Sequence, residues 1–166
     1  TSRATSHLFL NDSRHASQPT DAIGRTRTRN FDADGNVTGI SAPGDSDLGF
    51  VYDDEGNLLT QIDPLGQRTE FIYEPSFNSL SSVTDARGNA LSYTYDDAGN
   101  LTGIQYADDS LESFSYDDEG NVTQSVNRRW QSIDYTYNSR GQLLQQDNLD
   151  GTFLTYTYDD RGNLAS

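Results

Sequence analysis

The sequence predicts an all-β fold: tandem β-hairpins of about 21 residues forming a coiled antiparallel sheet. Three observations carry this. The first is a returning phrase: Phe31-Asp-Ala-Asp-Gly-Asn, Tyr52-Asp-Asp-Glu-Gly-Asn, Tyr95-Asp-Asp-Ala-Gly-Asn, Tyr116-Asp-Asp-Glu-Gly-Asn, Tyr137-Asn-Ser-Arg-Gly-Gln and Tyr158-Asp-Asp-Arg-Gly-Asn. A fixed period along a chain marks one supersecondary unit stacked on itself. The second is a large apolar residue two positions before most of these aromatics, the spacing that puts both on one face of a strand. The third is length, because two strands of ~5–6 residues and two short turns fill such a unit and leave no room for a helix.

Take the aromatic as an anchor. Anchors fall at Phe31, Tyr52, Tyr73, Tyr95, Tyr116, Tyr137 and Tyr158, in steps of 21 apart from one step of 22 after Tyr73. There Glu74-Pro-Ser-Phe-Asn-Ser-Leu80 replaces the usual turn and is one residue longer, which predicts a bulge or a wider turn. The residues two before the anchors are Phe50, Phe71, Tyr93, Phe114, Tyr135 and Tyr156, with Arg29 breaking the column in the first clear copy. Between each pair stand Val51, Ile72, Thr94, Ser115, Thr136 and Thr157, which face the other side and suit a pleated surface.

After the anchor comes the turn, where Gly35, Gly56, Gly99, Gly120, Gly141 and Gly162 accept the positive φ that such turns demand. An aliphatic six residues past the anchor (Val37, Leu58, Leu101, Val122, Leu143, Leu164) opens the return strand. A second turn closes the unit at Asp21 to Gly24, Asp63 to Gly66, Asp85 to Gly88 and Asn148 to Gly151. It varies at residues 42–45 and at Asn127-Arg-Arg-Trp130, and is the natural place for differences between copies. In the same register Leu10 takes an anchor position, with Leu8 and Phe9 before it. Residues 1–30 therefore read as a degenerate copy continuous with the array of residues 31–166. Each hairpin has too little core to stand alone, and stacking makes the core continuous.

Composition narrows the function. Only 33% of the chain is hydrophobic and mean hydropathy is −0.78, values close to the disordered class. Ten Tyr and seven Phe at fixed spacing argue for a folded chain, since an aromatic ladder supplies buried area that aliphatics do not. A net charge of −15, with Arg as the sole base besides two His, argues against nucleic acid and anionic lipid as partners. No apolar stretch approaches the ~18 residues of a membrane-spanning helix, so membrane insertion is not expected. Without Cys there is neither a disulfide framework nor a thiolate metal site. The chain starts at Thr1 and shows no signal peptide, as a mature form or a section of something longer would.

The repeated phrase Tyr-Asp-x-x-Gly-Asn-Leu, an Asp-x-x-Gly turn, and strands such as Tyr93-Thr-Tyr-Asp, Tyr135-Thr-Tyr-Asn and Tyr156-Thr-Tyr-Asp closely resemble the YD repeats of Rhs proteins. The resemblance covers residues 31–166 clearly and 8–30 weakly. It implies a β-strip of the kind that, in Rhs toxins, the C component of Tc toxins and teneurins, spirals into a hollow shell; in bacterial members the shell encloses a toxic carboxy-terminal segment. It further implies a secreted or cell-surface location, and as partners further YD repeats of the same or another chain and an enclosed polypeptide; the aromatic columns add a glycan as an alternative partner. The Asp-Pro-x-Gly segment that ends such shells has one echo here, Asp63-Pro-Leu-Gly66, in an ordinary second-turn position.

Alternating carboxylates in Asp32-Ala-Asp-Gly-Asn suit calcium, but the further ligands and the Glu of a calcium loop are missing. The favoured reading has no cofactor: the first Asp and the Asn satisfy turn backbone, and calcium is the weaker alternative. His7 and His15 read as surface histidines, without a nucleophile elbow. Paired carboxylates such as Asp53-Asp54 recur at turn after turn, which makes them structural instead of a glycosidase pair. Arg25, Arg27 and Arg29 share one strand face; pairing with acidic turns of neighbouring units is the favoured reading, and an anion or polysaccharide contact the alternative. Trp130, beside Arg128 and Arg129, is a contact candidate for a sugar or protein, or else packs over the sheet edge. The sequence thus predicts a structural, non-enzymatic repeat that walls off or displays a polypeptide. An adhesin or carbohydrate-binding module is the alternative, and a self-assembling filament subunit the second.

Overall fold

A computed structural model describes residues 9–10, 16–17, 27–41 and 47–165. Among them there is no helix. The strands are β1 (Phe9–Leu10), β2 (Ala16–Ser17), β3 (Thr28–Phe31), β4 (Val37–Ser41), β5 (Leu48–Tyr52), β6 (Leu58–Ile62), β7 (Arg68–Tyr73), β8 (Leu80–Thr84), β9 (Ala90–Tyr95), β10 (Leu101–Gln105), β11 (Leu111–Tyr116), β12 (Val122–Val126), β13 (Ser132–Tyr137), β14 (Leu143–Asp147) and β15 (Phe153–Thr155). His7, His15, Arg25, Leu8, the Asp21 to Gly24 turn and the variable turn at residues 42–45 lie outside the described residues.

Two compact units divide the chain: Thr1–Glu74 with Ser82–Asn89, and Pro75–Ser81 with Ala90–Ser166. In the first, β1 to β7 pair antiparallel in sequence order. In the second, β9 to β15 do the same. Each is therefore an open meander of hairpins, the architecture that short turns at both ends of every strand dictate.

The hairpins share a defect in the same place. Phe31 pairs with Val37, Tyr52 with Leu58, Tyr95 with Leu101, Tyr116 with Val122 and Tyr137 with Leu143, and in every case the register then slips by one. The extra residue is Thr38, Leu59, Thr102, Thr123 or Leu144. Such a bulge interrupts the ladder and sharpens the right-handed twist. The next anchor repairs the interruption. The Tyr73 hydroxyl donates to the Leu58 carbonyl, Tyr95 to Leu80, Tyr116 to Leu101 and Tyr158 to Leu143, at 2.7–3.2 Å and always fifteen residues back. An anchor tyrosine thus ties its own hairpin to the one before.

Directly opposed residues share a face, so the pairs Phe50–Gln61, Tyr93–Ile104, Phe114–Ser125 and Tyr135–Gln146 build the aromatic side. The other side carries polar pairs, with Gln124 bonded to Asp134 at 2.7 Å and Thr94 to Thr102 at 3.2 Å, alongside the exposed Val51 and Ile72. No described side chain is fully buried. Gly39 and Gly103 alone among the described residues are withdrawn from solvent, and the aromatic columns are half-buried. Among the described residues nothing closes over that face.

Candidate functional site

Along one edge of each unit run the anchor turns. In the turn at Asp53, Gly56 N–H donates to the Asp53 carbonyl at 3.2 Å and Asp53 N–H to the Asn57 carbonyl at 3.0 Å. This is a type I turn closed by a left-handed residue, and Gly56 fills that place at φ 88°. The Asp53 carboxylate accepts from Glu55 N–H, Asn57 N–H and the Asn57 carboxamide at 3.1, 2.7 and 2.9 Å. Asp32, Asp96, Asp117 and Asp159 repeat the arrangement with Asn36, Asn100, Asn121 and Asn163. Gly35, Gly99, Gly120, Gly141 and Gly162 all stand at positive φ, and the anchors Phe31, Tyr52, Tyr73, Tyr95, Tyr116, Tyr137 and Tyr158 are all half-buried. The wider turn after Tyr73 has Asn78 at φ 56° in place of Gly, and its Phe77 ring lies against Gly99. Farther along, the Gln142 carboxamide donates to the Gly162 carbonyl at 3.0 Å, so consecutive turns stack.

These bonds set the acid behaviour. The carboxamides of Asn57, Asn100, Asn121 and Asn163 hold Asp53, Asp96, Asp117 and Asp159 below the ordinary carboxylate value of 3.8. At Asp32 desolvation pushes upward, yet the bonds from Asn36 leave the carboxyl lowered. A lowered folded pKa contributes stability that is complete above 3.8 and is lost as pH falls through 3.8 and then through the folded value. Asn138 shows that an amide accepts the same two backbone N–H groups, from Arg140 and Gln142. Asp117→Asn should therefore fold normally, and its unfolding midpoint should drop less than the parent's between about pH 5 and about pH 3. Parallel acid limbs in thermal melts of the two chains would contradict this.

The second turns run along the opposite edge with the same device. Asp63, Asp85, Asn127 and Asn148 each open one, closed by Gly66, Gly88, Trp130 and Gly151. Sequence spacing did not mark the turn Tyr106-Ala-Asp-Asp109, closed by Asp109 at φ 62°. Together this turn and the one at Asn127 form the most individual feature of the second unit. Arg128 reaches from one to the other, bonding the Asp108 carboxylate at 2.5 Å and the Ser110 hydroxyl at 2.7 Å, with its guanidinium 4.1 Å from the centre of the Tyr106 ring. The Ser110 hydroxyl, its backbone N–H and then Arg128 hold the Asp108 carboxyl below its ordinary value.

Arg128 is thus engaged within the unit, whereas Trp130 is not packed over the sheet: it is 73% exposed, at φ 62°. A bulky side chain in the left-handed region costs about 1–3 kcal/mol. Trp130→Gly, which restores the residue found at this place in three other second turns, should raise stability by about 1 kcal/mol in urea unfolding. A loss would mean that the indole packs. Arg27 and Arg29 form no ion pair with another described residue, so the expected pairing with acidic turns is not seen there. Among the described residues no group of three or more His, Asp or Glu is arranged to hold a metal ion.

The RHS Repeat family model matches residues 76–111 and 137–166. Over these two stretches the chain is similar to RHS repeats. The matched stretches contain the anchors Tyr95, Tyr137 and Tyr158 with their turns. No curated protein matches the sequence. Solved structures share the fold. The Photorhabdus luminescens Tc holotoxin pore superposes with a TM-score of 0.73 at 17% identity over 96% of this chain. TcdB2-TccC3-Cdc42 gives 0.72 at 17% over 96%, and TcdB2-TccC3-TEV 0.69 at 18% over 90%. In each case this chain spans 10% of the matched chain's length. The described residues are an all-β repeat segment that shares the fold of these structures.

Proposed function

We propose that these RHS repeats form a section of wall in a secreted or cell-surface shell that encloses or displays a polypeptide, and that they catalyse nothing themselves. One observation carries the reading: in each unit the described strands form a single layer whose aromatic face has no fully buried side chain, so that face is built to meet something else. Likeness to the TcdB2-TccC3 assemblies supports it. The mechanism is exclusion. A sheet register locked by turns, bulges and tyrosine hydroxyls leaves no gap between strands, and a face of Phe and Tyr accepts both apolar and hydrated segments of an enclosed chain. The first carboxylate of each anchor turn, as at Asp53, Asp96 and Asp117, is occupied with turn backbone. Limited proteolysis of the native protein that carries this chain tests the idea. An enclosed segment should resist cleavage in the parent and become cleavable when Gly99→Val weakens the wall. Equal cleavage of the two proteins would refute it.

A further inference from the structure

In the tip formed by Arg128, Arg129 and Trp130, Arg128 ties two turns together, whereas the side chains of Arg129 and Trp130 stand exposed. Its indole is exposed at the apex of a turn and holds a backbone conformation that glycine adopts elsewhere on the same edge. Arg128 is fixed by Asp108, Ser110 and Tyr106, which presets the shape of the tip, while Arg129 is exposed beside it. A preset, protruding Trp next to Arg has the composition of a protein-binding hot spot. It is convex, and so fits a recess in a partner better than it holds a small ligand.

The opposite edge of the same unit offers such a recess. Between the turns at Asp96 and Asp117 lies an open groove of about 740 Å³, with Phe114 and Tyr116 in its lining and Asp97, Asp118 and Glu119 on its rim. These three rim residues are exposed, and none of them is the carboxylate that caps its turn. The groove is acidic where the tip presents the exposed Arg129, and aromatic where the tip presents an indole.

We infer that copies of this chain join edge to edge, with the Arg128-Arg129-Trp130 tip of one seated in the acidic groove of the next. Because tip and groove are different surfaces, the contact is heterologous and leaves a free tip and a free groove at the ends of every assembly. The inference goes beyond the shell reading and does not rest on it.

Sedimentation velocity of the 166-residue chain over a concentration series at low and high salt tests it. The parent's average mass should rise with concentration, and less so in high salt. Trp130→Gly and Arg129→Glu should each weaken association by at least about tenfold. Asp118→Arg should do the same from the groove side, and mixing the Arg129→Glu and Asp118→Arg chains should restore part of it through the swapped charges. A parent that stays monomeric throughout would overturn the inference. So would association that the three variants leave unchanged, which would place the joint at the ends of the sheet.

Discussion

Gly99→Val should destabilise the chain by about 2–4 kcal/mol, read as a lower urea midpoint. Two causes add. Gly99 sits at φ 85°, where a β-branched residue is strained. A Cβ there would also stand 3.2 Å from the Phe77 ring, before the valine methyls are counted. Gly151→Val separates the causes, because Gly151 has a similar φ of 79° but nothing within 4 Å of its Cβ position. It should lose only the strain, about 1–2 kcal/mol. Equal losses at both positions would show that Phe77 yields freely and that turn stacking contributes nothing.

Tyr116 carries the second large effect. Its hydroxyl donates to the Leu101 carbonyl at 2.8 Å, and its ring belongs to the half-buried aromatic column. Tyr116→Phe should cost about 1 kcal/mol, one hydrogen bond to a carbonyl at a bulge. Tyr116→Ala should cost about 2–3 kcal/mol, less than for a fully buried ring. Phe31, a natural anchor without a hydroxyl, shows that the ring alone suffices for the strand. If the Phe variant lost as much as the Ala variant, the hydroxyl and not the ring would hold neighbouring hairpins together. If it lost nothing, the carbonyl would be equally well served by water.

Much of this arrangement was legible in the sequence because the period is short and the turns are chemically explicit. An aromatic, a first Asp, a Gly and an Asn at fixed offsets specify a strand, a capped type I turn and a left-handed residue without reference to anything distant. The bulge left a trace in the same numbers. The five residues between Tyr95 and Leu101 are a three-residue loop and its two flanking positions, and the slip one step further on appears only when the strands are paired. The tyrosine ladder lies at a constant separation of fifteen residues, a spacing that joins different repeats and so escapes inspection of any single one.

The Arg128 cluster escaped for a different reason. Tyr106-Ala-Asp-Asp109 lacks both the opening Asp and the closing Gly, so no turn signal drew attention to it, and its partner is twenty residues away in sequence. Trp130 did carry a signal. Alignment of Asn127 with Asp63 and Asp85 places it where Gly66 and Gly88 stand, and a tryptophan in a glycine position implies either strain or a different turn. How far the aromatic columns are buried was not legible, because burial depends on whether a second layer covers the face, and periodicity is the same either way.

The central claim is that this face meets a polypeptide. A photo-activatable phenylalanine analogue in place of Phe114, in the native protein that carries this chain, tests it most directly. Phe114 belongs to the half-buried aromatic side of β11. Irradiation followed by peptide mapping should give cross-links to one defined polypeptide segment outside the repeats, and the same probe at Ser115, on the polar side, should give none. Cross-links from position 114 only to other RHS repeats, or from both positions alike, would contradict the account.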